Sequence, residues 1–463
     1  MSYETAVLSA RFGLGPRADG SEPAGAEGLL TPLAGPDAIG ARYPIAGYAD
    51  IAPAAVELRR LNRARRDAAS SDEEKTLRQE RTQLLRQQRV RRAQDLGTVL
   101  ARASETADPM RERLVRFWAD HFTVVGKQTF LRTAVQSYVE EAIRPNVTAR
   151  FADLLRAAIL HPMMLAYLDQ ARAVGPNSEV GRRNPKRGLN ENLARELLEL
   201  HTLGVGGPYA QADVRQLAEL LAGLSVRPSG EMIFAARRGE PGPETVLGRR
   251  YGRRAPKLED IHEVLDDLAR HEATARHIAR KLAVHFVADT PDPALVDHVA
   301  ARFSSTEGDL LAVYTALVEH PAAQASERQK AKMPWEFIAT SLRLLGAPGR
   351  KLAETPLRDV RRHIYAPLTE MSQEWERPPG PDGWPEEAAH WISPQGLAGR
   401  ISWAMGVPQI LMGLGVALPD PRALVEGPLA PLAGDALRFA ARAAETREDG
   451  VALVLLSPEF QRR

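Results

Sequence analysis

The residues best suited to chemistry lie at positions 190–203, which read NENLARELLELHTL. This stretch combines amides, carboxylates, a guanidinium and an imidazole with leucines at helical spacing. Carboxylates and imidazole without thiolates suit Mn, Fe, Zn or Mg ions, and a buried Glu–His pair can transfer protons. The stretch and the residues after it therefore predict a ligand site with these candidate side chains: Asn190, Asn192, His201, Tyr209 and Asp213.

The spacing of the acidic residues and the histidine limits what this helix can bind alone. Helical metal sites use Glu-x-x-His, which puts both ligands on one face, whereas the Glu-to-His spacings here are two and five. On a helical wheel, Glu196 and Glu199 share one face and His201 lies on the apolar side. A divalent metal would need a histidine from another helix, so the predicted metal ligands are His121, Glu196 and Glu199.

The same polar residues also predict a purely structural network. Glu191 and Arg195 have i, i+4 spacing in the favourable order, and Arg195 can also reach Glu199. His201 precedes Gly204 by less than one turn, where it can hydrogen-bond the last carbonyls of the helix. The helix by itself leaves both interpretations open, a ligand or metal site and an ion-pair ladder.

A second group of candidates lies in RFWADHF, at 116–122. His121 falls on the same helical line as Leu114 and Trp118, so we expect it to be partly buried with Asp120 pointing elsewhere. A neutral histidine bonded to a carbonyl is the alternative to a site role for His121. The candidate catalytic residues are His121, Asp120, Glu196, Glu199 and Arg195.

Composition excludes several functional classes. The 463 residues include 61 Lys and Arg against 59 Asp and Glu, a balance that argues against a dedicated nucleic-acid surface. The absence of cysteine excludes disulfides, thiolate nucleophiles and iron–sulfur clusters, and no motif indicates a nucleotide, NAD or haem cofactor. Neither a signal peptide nor a membrane span is recognisable, so we expect a cytoplasmic location.

Helices must position these residues, because most of the chain has helical periodicity. We predict a mainly α, multi-helix globular domain with a small β-hairpin near 230–252 and a Pro/Trp-rich irregular segment near 372–395. In the hairpin, EMIFA is expected to pair with ETVLGRRYG. The predicted organisation is an N-terminal helical lobe, 1–226, and a C-terminal lobe, 227–463, with one continuous domain as the alternative.

Residues 54–105 predict a protruding pair of helices with a basic surface. Between Arg59 and Arg92 there are eleven Arg and one Lys against five Asp and Glu, and no aromatic residue. Proteins bind single-stranded nucleic acid in basic grooves that also carry aromatic rings, so we expect a solvated helical hairpin and no nucleic-acid partner. The break between the helices is predicted at DAASSDEEK, with a new helix from Asp72.

Three longer stretches together resemble a known bacterial family. They are RLVRFWADHFTV (113–124), GLNENLARELLELHTLGVGGPYAQADVRQLAELLAGLSV (188–226) and HEATARHIARKLAVHFV (271–287). RFGLGPR near the start, PGPETVLGRRYG, GPDGW and the final SPEFQRR are similar to further landmarks of the same family, in the same order. From about residue 8 to the C-terminus, the chain resembles the domain-of-unknown-function family eighteen hundred.

The resemblance implies a predominantly helical protein without an established activity. Relatives are often encoded beside a second uncharacterised family, similar to alkaline-phosphatase-type proteins, which the resemblance implies as a candidate protein partner. Many relatives look exported, in contrast to the location expected here. Relatives tend to have Asn in place of Asp120, Thr in place of Ala210 and His in place of Gly239.

Two functions follow from the residues and the resemblance. One is the binding of a metal or small ligand at a Glu/Asn/His cluster between helices. The other is a non-catalytic role as a helical interaction or assembly protein, in which the polar cluster only orders the fold.

Overall fold

The computed structural model describes residues 2–127, 131–184, 186–227 and 229–463. Over these residues the protein is mainly α-helical, which confirms the predicted fold class, and it contains two small antiparallel sheets of two strands each. None of the described helices is both long enough and apolar enough to cross a membrane.

The helices before the first strand include the basic pair and the two candidate helices. They are α1 (Tyr3–Phe12), α2 (Gly25–Ala34), α3 (Ala38–Arg42), α4 (Tyr48–Asp67), α5 (Ser71–Glu105), α6 (Pro109–His121), α7 (Val135–Tyr138), α8 (Phe151–Leu160), α9 (Pro162–Tyr167), α10 (Glu179–Arg183), α11 (Asn192–Glu196) and α12 (Gln211–Leu221). Helices α7 and α11 each continue as a π-helical turn, Val139–Ile143 and Leu197–His201. The central polar stretch is therefore an α-helix followed by a π turn, rather than the uniform helix that we predicted.

The helices after the last strand form the rest of the molecule. They are α13 (Leu258–Arg270), α14 (Glu272–Phe286), α15 (Pro293–Ser305), α16 (Leu310–Glu319), α17 (Pro321–Gln324), α18 (Pro334–Leu344), α19 (Gly349–Ala353), α20 (Leu357–Val360), α21 (Ala366–Glu370), α22 (Ala388–Trp391), α23 (Pro394–Gly413), α24 (Pro421–Glu426), α25 (Asp435–Ala443), α26 (Arg447–Leu456) and α27 (Pro458–Gln461). A third π turn, Arg361–Tyr365, joins α20 to α21. Short 3-10 turns cover Arg144–Asn146, Gln170–Arg172 and Ala236–Arg238.

A small β-hairpin forms within the predicted region, 230–252, but its strands pair differently from our expectation, and a second hairpin overlaps the start of the region. Strand β1 (Leu224–Val226) pairs with β2 (Met232–Phe234), and β3 (Glu244–Val246) pairs with β4 (Arg249–Tyr251). The pairing of EMIFA with ETVLGRRYG was therefore wrong. In the second hairpin Leu247 and Gly248 have φ of 51° and 77°, the positive values that a two-residue turn between antiparallel strands requires, so ETVLGRRYG folds back on itself.

The basic helical pair forms with nearly the predicted break. Helix α5 begins at Ser71, one residue before the expected start, because Ser70 has an extended backbone and its hydroxyl accepts from the N–H of Glu73. At the other end of α5, Asp108 caps α6 by accepting from the N–H of Arg111, and Pro109 takes the first helical position.

Two large hydrophobic cores lie side by side. The first draws its residues from Leu8 to Ala323, and the second combines the C-terminal half of α5 with residues 335–460. Helix α5 therefore has an exposed N-terminal half that packs on α4 and a buried C-terminal half that packs on α18 and α19. The division of the chain into domains at 226 and 227 stays a prediction.

The Pro/Trp-rich segment is irregular over residues 372–387, as predicted, and helices α22 and α23 begin within its last residues. Ser372 and Glu376 have φ of 68° and 59°, in the left-handed region that non-glycine residues seldom adopt. Such backbone costs about 1–3 kcal/mol per residue and persists where the surroundings hold it in place. This segment covers the boundary between the two cores.

Candidate functional site

A cavity of about 110 Å³, called the inner cavity below, lies where the two cores meet. Helix α6 provides one wall, α7 with the first residue of its π turn a second and the start of α18 a third. The irregular segment closes the remaining side with Trp375 and Trp384. Most of the wall is apolar, but charged side chains of α6 reach into the space, which is the usual composition of a small-ligand site.

Asp120, on the last turn of α6, faces the inner cavity. Both carboxyl oxygens accept from the backbone N–H of Trp384, at 3.0 and 3.1 Å. Burial raises the pKa of Asp120 to about 8, although the positive charge of Lys281 lowers it. At pH 7 the group is therefore mostly an uncharged carboxylic acid, which can donate one hydrogen bond in addition to those it accepts.

The contact between Asp120 and the irregular segment depends on a glycine. Gly383 has a φ of +89°, and a Cβ built on it would lie 2.5 Å from a carboxyl oxygen of Asp120. Glycine meets both conditions because it has no Cβ and adopts positive φ without strain. The GPDGW stretch can therefore bring the N–H of Trp384 directly onto the carboxyl group.

Arg116 lies one turn before Asp120 and directs its guanidinium into the same cavity. Its Cζ atom is 5.9 Å from the ring centre of Trp335 and 5.6 Å from that of Trp375, so the cation lies near two indole rings. Its Nη2 donates to Oε1 of Gln136 at 3.3 Å. Burial lowers the pKa of Arg116 to about 10, and the group is still cationic at neutral pH.

The other carboxylates on the cavity wall have cations of their own. The ion pairs are Glu376 with Arg92 (2.9 Å), Glu336 with Arg113 (2.6 Å) and Glu374 with Arg377 (2.8 Å). No ion pair among the described residues includes Arg116. Asp120 is mostly uncharged at pH 7, so Arg116 has no ion-pair partner on the wall, although the carboxylates of Glu112, Glu140 and Glu376 act on its charge at longer range.

Two tryptophans of the cavity wall, Trp335 and Trp375, have indole N–H groups that are buried within the protein. Nε1 of Trp335 and Nε1 of Trp375 are both buried, and neither has a hydrogen-bond partner within the part of the chain that the structure describes. A buried donor without a partner costs about 1–3 kcal/mol.

His285 and Glu386 form a dyad at the edge of the cavity. Nδ1 of His285 is 2.7 Å from Oε1 of Glu386, and its Nε2 is 3.4 Å from Nη2 of Arg113. Burial lowers the pKa of His285 to about 4, so the ring is neutral, donates from Nδ1 and accepts at Nε2. Since both ring nitrogens are engaged, the dyad supports the wall and leaves no free base.

The predicted site histidines bond to each other's backbone. Nε2 of His121 is 3.3 Å from the carbonyl oxygen of His201, and Nδ1 of His201 is 3.2 Å from the carbonyl oxygen of His121. Burial and the charge of Lys281 lower the pKa of His121 well below its ordinary value and that of His201 to about 3. Both rings are therefore neutral donors that join α6 to the π turn. His121 is buried more completely than we expected, and it packs edge-on against Trp118.

The acidic residues of the central stretch contact Arg195 instead of a histidine. Nη2 of Arg195 is 3.4 Å from Glu191 and Nη1 is 3.3 Å from Glu199, which is the ion-pair ladder that the spacing predicts. Burial, Glu199 and Asp382 raise the pKa of Glu196. Among the described residues, no group of three His, Asp or Glu side chains is arranged to hold a metal ion. The metal site at His121, Glu196 and Glu199 stays a prediction.

The remaining ligand-binding candidates make contacts within the protein. Asn190 donates to the carbonyl oxygen of Leu168 at 3.0 Å and accepts from the N–H of Asn192 at 2.9 Å. Asp213 accepts from two backbone N–H groups, those of Ala210 and Leu247, both at 2.8 Å. Burial and the nearby carboxylate of Glu199 raise the pKa of Tyr209.

A model of the family described as Protein of unknown function (DUF1800) matches residues 8–462, almost the whole chain. The chain belongs to the DUF1800 family. A search of curated proteins and a search of solved structures found no match.

Two landmarks of the DUF1800 family meet at the inner cavity, although they are far apart along the chain. RLVRFWADHFTV provides Arg116 and Asp120, and GPDGW provides the N–H of Trp384. Arg116, Trp335 and Trp375 were not among the site residues predicted from the sequence. A usable signal was present, because Arg116 and Asp120 have i, i+4 spacing and must lie on one face of α6.

Proposed function

We propose that this DUF1800 protein binds a small organic acid in the inner cavity, with the carboxylate of the ligand at Arg116. The observation that carries the proposal is a cavity-facing guanidinium that has no carboxylate partner among the described residues. Arginine is well suited to this role, since its planar fork of N–H groups matches a carboxylate.

The size and lining of the cavity define the rest of the ligand. The inner cavity measures about 110 Å³ and is partly open to the outside, whereas a closed, dry cavity of about 150 Å³ holds a benzene molecule. Its apolar wall includes Tyr138, Val139 and Met333. A ligand with one carboxylate and a compact aliphatic or aromatic body suits this apolar wall, and a body as large as benzene extends through the open side of the cavity.

Asp120 makes binding dependent on pH. Below a pH of about 8 its carboxyl group is protonated and can donate a hydrogen bond to a bound carboxylate. Above that pH it is ionised and repels the same ligand. The proposal therefore combines one permanent cation, Arg116, with one donor that is lost as the pH rises.

The central helix does not enter this proposal. Its carboxylates Glu191 and Glu199 are engaged by Arg195, and its histidine bonds to a backbone carbonyl. These contacts favour the structural network over a metal or ligand site at that helix. Catalysis is not part of the proposal, because the described residues of the cavity wall offer a proton donor but no free nucleophile beside it.

Calorimetric titration with benzoate and with benzamide tests the proposal. We expect benzoate to bind the wild-type protein at pH 7 and benzamide, which has the same shape without the charge, to bind at least tenfold more weakly. Replacing Arg116→Gln should weaken benzoate binding by about tenfold or more, because a hydrogen bond to a charged group contributes about 1.5–3 kcal/mol. The matched control is Arg150→Gln, which removes an exposed arginine far from the cavity wall.

Equal affinity for benzoate and benzamide would refute the proposal, and this comparison needs only the wild-type protein. Unchanged benzoate binding in a folded Arg116→Gln variant would refute it as well. Circular dichroism establishes that the variant is folded. If it is not, Arg116→Lys keeps the charge without the planar fork and should bind benzoate with intermediate affinity.

A further inference from the structure

A groove of about 1290 Å³ runs along the outside of α5, next to the inner cavity. One side is the middle of α5, and the other is formed by α20 and the π turn Arg361–Tyr365. Glu374 and Trp375 line both this groove and the inner cavity. We call it the arginine groove after its six arginines: Arg86, Arg89, Arg92, Arg358, Arg361 and Arg362.

Most of the positive charge of the groove is available to a partner. Its lining contains six arginines against two glutamates, and one of these, Glu374, is already paired with Arg377. Arg92 is engaged by Glu376 at 2.9 Å, and Arg358 makes a long contact of 4.0 Å with its neighbour Asp359. The remaining four arginines are exposed and belong to no ion pair among the described residues.

The positive charge at the tip of the basic helical pair is partly neutralised within the protein. There Arg60 pairs with Glu57 at 2.7 Å and Arg65 contacts Glu74 at 3.4 Å. Arg81 donates to the side-chain oxygen of Asn62 at 2.9 Å. Arg63, Arg66, Lys75 and Arg78 of the helical pair also belong to no ion pair among the described residues, so the arginine groove is distinguished by the apolar side chains that line it and not by its charge alone.

The groove also has an apolar floor, made by Val90, Leu357, Tyr365, Ala366 and Trp375. We propose that the arginine groove binds an acidic segment of a partner protein, with carboxylates on the two rows of arginines and an apolar side chain on the floor. Arginine rows at i, i+3 spacing on each side suit carboxylates, which accept two parallel hydrogen bonds from one guanidinium. An apolar anchor surrounded by charged contacts is a common arrangement in protein interfaces.

The aromatic rings of the groove favour a peptide over a nucleic acid. Proteins that bind single strands stack bases on open aromatic faces. Trp375 is only 7% exposed, and the ring of Tyr365 is covered by the guanidinium of Arg92 at 5.4 Å. The hydroxyl of Tyr365 is also engaged, since it donates to the carbonyl oxygen of Arg92 at 3.0 Å.

Fluorescence anisotropy with the full chain tests the inference. The probe is a fluorescein-labelled peptide that repeats Glu-Glu-Leu, compared with the same peptide carrying Gln in place of Glu and with labelled oligothymidylate. We expect the Glu peptide to bind the wild-type protein at least tenfold more tightly than the Gln peptide, with a salt-dependent affinity. The triple variant Arg358→Ala, Arg361→Ala, Arg362→Ala should weaken binding of the Glu peptide at least tenfold.

A charge-matched control is available on the second hairpin. The triple variant Arg250→Ala, Arg253→Ala, Arg254→Ala removes three exposed arginines that are not part of the groove, and it should leave the affinity unchanged. Equal weakening in both triple variants would overturn the inference, because the attraction would then depend on net charge alone. Tighter binding of oligothymidylate than of the Glu peptide, lost in the groove variant, would overturn it in favour of a nucleic acid.

A second groove variant keeps the test decisive if the first one does not fold. Arg86→Ala with Arg89→Ala removes two exposed arginines from the opposite side, on the helix surface of α5. It should also weaken binding of the Glu peptide by several fold. Unchanged binding in this folded double variant would overturn the inference.

Discussion

Replacing Asp120→Asn makes the pH dependence of organic-acid binding measurable. The pKa of Asp120 is raised to about 8 by burial, so its ionised fraction rises from about one tenth at pH 7 to about nine tenths at pH 9. If only the protonated form admits a carboxylate, the Kd of the wild-type protein for benzoate rises about tenfold over this range, or about 1.4 kcal/mol. The Asn side chain cannot ionise, so the Kd of the variant should stay constant.

Arg116 does not obscure this comparison. Its pKa is lowered to about 10, and at pH 9 it still carries most of its charge. Benzoate itself is ionised throughout the range. The difference between the wild-type protein and the variant therefore reports on Asp120.

Calorimetric titration at pH 7, 8 and 9 measures the effect, with both proteins in buffers of equal ionic strength. The number of protons taken up on binding also checks the assignment to Asp120. Proton uptake by the wild-type protein should grow from pH 7 to pH 9, and it should be absent in the Asp120→Asn variant. A wild-type Kd that does not change with pH would refute the role of Asp120. An equal loss of affinity in the Asp120→Asn variant would refute it too, since another group would then be titrating.

The same structure yields further expectations about stability. The pKa of Asp120 is higher in the folded than in the unfolded protein, so the folded state binds more protons and loses stability as the pH rises from about 4 to 8. Over this pH range, the melting temperature of the Asp120→Asn variant should therefore rise relative to that of the wild-type protein. Gly383→Ala should lower the free energy of unfolding by about 1–3 kcal/mol, because a left-handed backbone and the carboxyl of Asp120 both oppose a Cβ. Gly406→Ala is its control, since its Cβ would meet no atom within 4 Å, and urea unfolding should show no loss of stability. Arg195→Ala breaks a partly exposed ion-pair ladder and should cost less than about 1 kcal/mol by the same measurement, whereas a much larger loss would contradict a surface role.

The inner cavity also suggests why the irregular segment is built as it is. Glu376 has a left-handed backbone. Two contacts fix its side chain, an ion pair with Arg92 and a hydrogen bond of 2.9 Å that Nε2 of Gln136 donates to its carboxylate. The carbonyl oxygen of Trp375 accepts from Arg92 at 2.7 Å. These contacts hold Trp375 between the inner cavity and the arginine groove. A ligand in either space would therefore contact a side chain that also lines the other space.

Local features of the protein were determined by the sequence itself. The mainly helical fold, the Asp108 cap and the ladder from Glu191 through Arg195 to Glu199 all depend on residues within four positions of each other. The start of α5 was predicted within one residue, because a serine cap acts on the next turn of the chain. Such features depend only on backbone geometry and on contacts within one helical turn, so the spacing of residue types in the sequence predicts them.

Tertiary structure decided the rest. The sequence places Asp120 and Arg116 on one face of α6, but only packing brings that face to Trp384, a residue 264 positions further along the chain. The same packing raises the pKa of Asp120, since desolvation depends on what covers a group and not on its neighbours in the chain. The π turn at Leu197–His201 and the separate pairing of the two hairpins likewise follow from contacts outside each segment. Periodicity predicts which face of an element is polar, whereas the partner of that face is selected by the whole fold.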